Sequence, residues 1–190
     1  MKNFLNKFKS YFVKISKEKK KKKVLLHHSL KNATWIETGT FKGDTTKFLA
    51  SKFKFVHTIE ASNVLANMAT RKLSKIKNKE IHIGTSQELL ETILKKISGD
   101  VCFWLDSHYS GGLTFNDECP LKNELKIIEN NIKKFERIVV LIDDIYGYHQ
   151  HPEDYPSLMF LSEWASKLDL IWTIESDIFI AKSKDLILFP

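Results

Sequence analysis

The sequence predicts an α/β domain in which helices cover both faces of a parallel sheet. Short apolar runs alternate with longer amphipathic stretches along the chain, which is the order that strand–helix–strand units produce. Two of these runs, residues 101–105 and 139–142, are apolar at every position, as expected of strands buried on both faces. Parallel neighbours need crossover connections, so the helices between the strands are predicted to pack on the sheet.

The bulk composition agrees with one globular domain. The 190 residues are 43% hydrophobic and 12% aromatic, which is enough for a single core and unlike a disordered chain. The cysteines, Cys102 and Cys119, are too few for a disulfide framework and have no partner at metal-ligand spacing. We find no secretory signal peptide and no apolar stretch near the roughly 18 residues of a spanning helix, so a cytoplasmic location is expected.

The strands follow from the short apolar runs. The first run leads into a glycine-containing turn, and the last two lie close enough in sequence to form an antiparallel pair. The seven predicted strands are residues 34–37, 55–60, 80–84, 101–105, 137–142, 170–174 and 178–181.

The helices follow from the amphipathic stretches between those runs. They are predicted at residues 44–51, 62–76, 87–97, 121–134 and 158–168. Trp104, Trp164 and Trp172 sit in apolar patterns and are predicted to lie in the core.

The positive charge belongs to the first 23 residues. This segment holds ten lysines and one glutamate, so the formal net charge of +7 falls to −2 over residues 24–190. We therefore divide the chain into a basic amphipathic tail, residues 1–23, and a domain, residues 24–190. The domain offers no electrostatic case for nucleic-acid binding, and nucleic acid is not an expected partner.

The tail has its own periodicity. Its apolar residues recur at helical spacing with lysines opposite, namely at Phe4, Leu5, Phe8, Tyr11, Phe12 and Ile15. Such a helix could pack on the domain, lie on an anionic membrane leaflet, or serve nucleic-acid binding or targeting. The membrane alternative would place the protein peripherally at the inner membrane surface.

The turn after the first strand is a candidate ligand site. Gly39 and Gly43 permit close approach of a ligand to the backbone, and a helix N-terminus follows. The spacing fits neither a phosphate-binding loop nor the dinucleotide fingerprint. The acids Glu37 and Asp44 would repel a pyrophosphate but suit a cationic sulfonium ligand that carries an amino-acid group.

The ends of the second and third strands add two weaker signals. Glu60 stands at the end of the second strand, where an acid can accept hydrogen bonds from both ribose hydroxyls of an adenosine. Small polar groups, Thr85 and Ser86, follow the third strand, where an adenine could lie, although either one could simply cap the next helix.

Together these residues resemble the S-adenosylmethionine-dependent methyltransferases with a Rossmann-like fold. The resemblance covers about residues 33–181 and rests on the run 35–46, on Ile59-Glu60 and on residues 84–86. It implies a Rossmann-like three-layer sandwich with a mostly parallel seven-stranded sheet and an antiparallel last strand. The cofactor-binding residues that we expect are Glu37, Thr38, Gly39, Thr40, Gly43, Thr45, Glu60, Ser86 and Asp106.

Three carboxylates follow the fourth and fifth strands. Asp106, Asp143 and Asp144 are predicted to converge, and clustered acids usually mark a cation site or acid–base chemistry. Oxygen ligands suit Mg²⁺ or another hard divalent metal. The arrangement is similar to that of the metal-dependent sugar O-methyltransferases of the macrocin O-methyltransferase type, and the resemblance makes these three aspartates the metal ligands.

One position departs from that group. A second acid is typical two residues after the strand-four aspartate, whereas this chain has His108. His108 could be the general base, a metal ligand or a loop anchor, and Asp106 is the other candidate for the proton acceptor. His149 and His151 could line the acceptor side, and residues 110–114 could form a lid.

These observations predict a methyltransferase that acts on a hydroxyl of a sugar, a glycan or another small molecule, with S-adenosylmethionine as cofactor and a divalent metal as an aid. Two alternatives stay open from the sequence. One is a non-catalytic cofactor-binding module that acts through its basic tail. The other is a metal-dependent hydrolase on an α/β sheet.

Overall fold

A seven-stranded sheet forms the middle of the molecule in the computed structural model, which describes residues 16–106, 119–146 and 155–187. The strands are β1 (Thr34–Thr38), β2 (Phe55–Glu60), β3 (Lys79–Ile83), β4 (Gly99–Leu105), β5 (Phe135–Ile142), β6 (Leu170–Glu175) and β7 (Ile178–Ser183). Their order across the sheet is β3-β2-β1-β4-β5-β7-β6.

The strand directions confirm the predicted Rossmann-like sandwich. The five strands from β3 to β5 pair in parallel, whereas β7 is antiparallel to both of its neighbours, β5 and β6. Glu175 ends β6 and Ile178 begins β7, and the two residues between them, Ser176 and Asp177, have φ values of 54° and 69°. Positive φ at both central residues is typical of the tight turns that match the twist of a hairpin.

In the part of the chain that the structure describes, six α-helices cover the two faces. They are α1 (residues 16–28), α2 (Asp44–Ala50), α3 (Asn63–Lys72), α4 (Ser86–Leu94), α5 (Leu121–Asn131) and α6 (Leu158–Lys167). Side chains of α4, α5 and α6 share one buried cluster with the sheet, and side chains of α1 and α2 share the other. Short 3₁₀ turns follow α5 at Ile132–Lys134 and β7 at Lys184–Ile187.

Local sequence signals explain where several helices begin. Ser62 and Ser157 each accept a hydrogen bond from a backbone N–H in the first turn of α3 and α6. Thr85 and Glu88 form a reciprocal capping box at the start of α4. The predicted helices 62–76 and 121–134 extend beyond the α-helical residues, because α3 ends at Lys72 and the second continues only as a 3₁₀ turn after Asn131.

The prediction for the three tryptophans is right for two. Trp104 and Trp164 are buried, but Trp172 is 43% exposed, so its assignment to the core was wrong. Trp172 lies on β6, which is an edge strand, and its ring stacks on Phe179 with a centroid separation of 5.5 Å. The exposure of a residue on an edge strand depends on the order of the strands, which an apolar pattern alone cannot reveal.

Helix α1 packs on the domain. Val24 and Leu25 are about 1% exposed within the cluster beneath α2, and Lys22 Nζ lies 5.6 Å from the centroid of the Phe48 ring. Helix α1 is continuous from residue 16 to residue 28, so it includes the boundary between residues 23 and 24 at which the charge pattern separates tail from domain. None of the helices within the described residues is both long and apolar enough to span a bilayer.

Candidate functional site

The strand registers bring the predicted site residues to one edge of the sheet. Thr38 pairs with Leu105, and Leu105 pairs with Ile142, so β1, β4 and β5 end side by side. The hydrogen-bonded ladder between the strands continues for one more step. Asp106 N donates to Thr38 O and Asp143 N donates to Leu105 O, each with an N···O distance of 3.0 Å. The glycine turn and the aspartates therefore start next to one another, as predicted.

The turn after β1 is shaped by its glycines. Gly39 and Gly43 have φ values of 88° and 72°, and Gly43 N donates to Thr40 O over 2.8 Å. A Cβ at Gly43 would lie 2.8 Å from Leu73 Cδ1. Gly43 is thus required both by its backbone conformation and by close packing against the residue that follows α3.

Glu60 holds this turn against the end of β2. Its Oε2 accepts from Phe41 N over 2.7 Å, and its Oε1 accepts from Ser62 N over 2.9 Å. Gly39 N and Thr40 N also donate to Ile59 O. A carboxylate has about four lone-pair sites, so Glu60 keeps acceptor capacity for hydroxyl groups of a ligand.

Glu37 lies beneath the turn and is fully buried. Its Oε2 accepts from Thr46 Oγ1 at 2.5 Å and from Thr58 Oγ1 at 2.7 Å. Burial raises the pKa of Glu37 from 4.5 to about 7, although the two hydroxyl donors oppose the shift. Its Oε1 and the neighbouring Thr38 Oγ1 are buried, and within the described part of the chain neither has a hydrogen-bond partner. Unsatisfied buried oxygens of this kind are expected where a polar ligand or water completes a site.

The other predicted cofactor-binding residues lie at or near the starts of the helices that follow β1 and β3. Thr40 is buried and shares a 2.6 Å hydrogen bond with Thr58, whereas Thr45 is half-buried in the first turn of α2. Ser86 is buried at the start of α4, next to the capping residue Thr85. Asp44 points to α3, where Lys72 Nζ lies 2.6 Å from its Oδ1, so its charge is already balanced.

The three aspartates come together as predicted. Asp106, Asp143 and Asp144 each offer a carboxylate oxygen, and these oxygens lie within 4.8 Å of one another. The Asp143 side chain is fully buried, and its Oδ1 has no hydrogen-bond partner among the residues that the structure describes. Burial and the nearby Asp144 raise the pKa of Asp143, while Lys21 opposes the shift.

Lys21 of α1 places its ammonium group among these acids. It forms an ion pair with Asp143 Oδ2, and its Nζ lies 3.5 Å from Asp144 Oδ1. Burial lowers the pKa of Lys21, but the attraction of Asp143, Asp106 and Asp144 outweighs burial and leaves the pKa raised. The cluster therefore stabilises a cation in the structure, which shows that it suits positive charge.

Lys21 and Tyr155 are site residues that were not predicted from the sequence. Lys21 is one of five consecutive lysines, so no local signal distinguishes it from its neighbours. Tyr155 lies beside the aspartates, and burial together with their charges raises the pKa of its phenol. It lines a small cavity with Asp143 and Cys119. In the sequence, Tyr155 lies between the acids that follow β5 and the start of α6, and this position is the signal that could have identified it as a site residue.

Several predicted residues lie outside the part of the chain that the structure describes. These are His108, His149, His151 and the predicted lid at residues 110–114.

Comparison with solved structures places this fold among those of methyltransferases. The N-methyltransferase NodS from Bradyrhizobium japonicum WM9 matches with a TM-score of 0.60 and 12% identity over 88% of this chain and 95% of its own. An O-methyltransferase from Bacillus cereus in complex with S-adenosylhomocysteine matches with a TM-score of 0.57 and 16% identity, over 85% of this chain and 77% of its own.

A third match bears on the acceptor. An rRNA methylase from Streptococcus thermophilus shares the fold with a TM-score of 0.51 and 16% identity, over 85% of this chain and 92% of its own. The expected exclusion of nucleic acid therefore finds no support in the fold. No protein-family model matches the sequence, and neither does any curated protein.

Proposed function

We propose that this protein is an S-adenosylmethionine-dependent methyltransferase that acts on a hydroxyl of a sugar, a glycan or another small molecule. The observation that carries the proposal is the contact between Glu60 and the glycine turn at the carboxyl end of the parallel sheet, which is where ligands bind in such folds. The methyltransferase structures that share the fold support it.

The chain would hold the cofactor on two sides of the turn. Glu60 would accept hydrogen bonds from the ribose hydroxyls, and Ser86 would lie near the adenine at the start of α4. The turn itself, with Thr38 and Gly39, would face the amino-acid part of the ligand. When bound, S-adenosylmethionine supplies an activated methyl group and leaves as S-adenosylhomocysteine, so the protein's main task is alignment of donor and acceptor.

The aspartates would hold a divalent cation of the Mg²⁺ class. The fit rests on the convergence of three oxygens, on Asp143 Oδ1, which has no partner among the described side chains and backbone, and on the ammonium of Lys21 that the cluster already accommodates. When bound, the cation would lower the pKa of an acceptor hydroxyl and orient it. Asp106 or His108 would take the hydroxyl proton.

Cofactor binding is tested by calorimetry with S-adenosylmethionine. We expect binding by the unchanged protein and at least about tenfold weaker binding by Glu60→Ala, since one lost charge-assisted pair costs about 1.5–3 kcal/mol. Glu136→Ala is the matched control, because Glu136 is exposed at the opposite end of the sheet. Equal affinity in all three proteins would remove Glu60 from the site.

Turnover separates the alternatives that the sequence leaves open. Cofactor binding without methyl transfer to any acceptor would favour the binding module, and absence of cofactor binding would favour the hydrolase. An acceptor panel should include RNA beside hydroxylated small molecules, because an rRNA methylase shares the fold.

The metal is tested by Asp143→Asn. We expect this variant to lose activity and to keep its affinity for S-adenosylmethionine, because the aspartate lies beyond the turn and Glu60. Full turnover of the unchanged protein in excess EDTA would contradict the proposed requirement for a divalent metal.

A further inference from the structure

A second group of metal-ligating side chains lies away from the aspartates. His57 is on β2, and Glu80 and His82 are on β3, which is the edge strand. His57 pairs directly with Glu80 in the register, and His82 is two residues further along the same strand. Because side chains alternate along a strand, all three project from the same face of the sheet.

The three ligand atoms form a small triangle. His57 Nδ1 lies 3.2 Å from His82 Nε2. Glu80 Oε2 lies 3.4 Å from His57 Nδ1 and 3.8 Å from His82 Nε2. Bonds of 2.0–2.1 Å to a tetrahedral zinc ion separate neighbouring ligand atoms by about 3.3 Å, so the three separations lie close to those of three corners of such a site.

The ligand types and surroundings agree with this geometry. The side chains of His57 and His82 are 18% and 19% exposed, whereas that of Glu80 is 58% exposed, so the group opens to solvent on one side. Burial lowers the pKa of both imidazoles, which favours the neutral form that binds metals. Imidazole nitrogens select zinc and similar transition metals, unlike the oxygen ligands of the aspartate cluster.

We propose that His57, Glu80 and His82 bind one divalent transition-metal ion of the zinc class and thereby clamp the edge strand β3 to β2. The two facing nitrogens share one proton in a hydrogen bond, so binding needs a shift of that proton to the other nitrogen of the same ring. No net proton release is required. The proposal stands on this triangle alone and does not depend on the proposed methyl transfer.

The test is a zinc titration of the untagged, chelator-treated full chain against a chromophoric chelator. We expect one zinc ion per chain, and about tenfold or greater loss of zinc affinity in both His57→Gln and His82→Gln. His27→Gln is the matched control at an exposed histidine outside the triangle. Asp143→Asn controls for zinc held by the aspartates, and neither control should change the affinity.

Two further readouts keep the test independent of folding defects. Zinc should raise the melting temperature of the unchanged protein and of His27→Gln, but not that of His82→Gln. In ¹⁵N spectra of the unchanged protein, zinc should shift the imidazole nitrogens of His57 and His82. Unchanged zinc affinity in both histidine variants, loss of zinc only in Asp143→Asn, or unshifted imidazole signals would overturn the proposal.

Discussion

At the scale of single residues, Glu37 couples the site to pH. Its pKa is about 7 in the fold against 4.5 in an unfolded chain. Between these values the folded protein holds a proton that the unfolded chain has released, so the free energy of unfolding falls as pH rises from about 4.5 to 7. The resulting loss in the free energy of unfolding over this pH range is on the order of 3 kcal/mol.

Glu37→Gln should remove that loss. Denaturant unfolding at several pH values between 4.5 and 7.5 should give a shallower decline for the variant than for the unchanged protein. Glu136→Gln, at an exposed position, should keep the original slope. Identical slopes for Glu37→Gln and the unchanged protein would show that the buried carboxyl titrates normally.

Lys21 makes a second residue-scale prediction. Its ammonium must leave the aspartates before a divalent ion can bind there, so Lys21→Met should raise the affinity for Mn²⁺ by roughly tenfold or more, the equivalent of one charge-assisted hydrogen bond. Calorimetry measures the affinity. Lys22→Met is the control, because Lys22 lies over Phe48 instead. Equal Mn²⁺ affinity in both variants would contradict the competition.

The residues that sequence reasoning identified are those whose position follows from the sheet. Asp106 and Asp143 were predictable because each directly follows an apolar strand, and Glu60 because it ends a strand that could also be recognised from the sequence. The pairing of Lys21 with Asp143 joins residues 122 positions apart and depends on how α1 crosses the sheet. The same is true of the His57–Glu80–His82 triangle, which needs the β2–β3 register and not only the strand bounds.

At the scale of elements, the start of α2 depends on Gly43. Gly43→Ala should destabilise the protein by about 2–3 kcal/mol, since a Cβ there meets both an unfavourable φ and the buried Leu73. Gly99→Ala is a matched control with a φ of 80°, and apart from its chain neighbours no heavy atom of the described residues lies within 4 Å of its added Cβ. Its expected cost is about 1–2 kcal/mol. Chemical denaturation of both variants gives the difference, and equal losses would mean that Leu73 yields without cost.

Element types were more predictable than element ends. All seven strands of the described sheet were predicted: most are short, largely apolar runs between turn residues, whereas β3 alternates polar and apolar residues. The bounds of β2 were predicted exactly. Helix ends depend on weaker local signals, so α3 and α5 stop before their amphipathic patterns do. The exposure of Trp172 depends on strand order, which the pattern of a single strand does not contain.

At the scale of the whole molecule, α1 is part of the folded body. Deletion of residues 1–28 removes the buried Val24 and Leu25, at a cost of roughly 3–6 kcal/mol, so that chain should melt well below the full-length protein. Deletion of residues 1–15 keeps every described contact of α1 and should melt close to it. Calorimetric scans of the two truncated proteins measure the stability that α1 contributes. Similar melting temperatures for both would show that α1 contributes no stability.

The shorter truncation also tests the membrane alternative for the tail. If residues 1–15 carry the apolar face of a membrane-binding helix, anionic liposomes should sediment the full chain but not the truncated one. Equal sedimentation of both proteins would assign any binding to the lysines of α1 that remain.

The position of β7 between β5 and β6 has a consequence for synthesis on the ribosome. Residues 135–142 leave the ribosome before residues 178–183. One edge of β5 therefore has no partner strand while the β6–β7 hairpin is still being synthesised. The stretch 139–142 is uncharged, β-branched or leucine, and free of proline, which is the composition that pairs readily with other strands. A nascent chain that is halted between these two segments would therefore be prone to aggregate. The free edge of β5 is covered only when β7 pairs with it in antiparallel orientation.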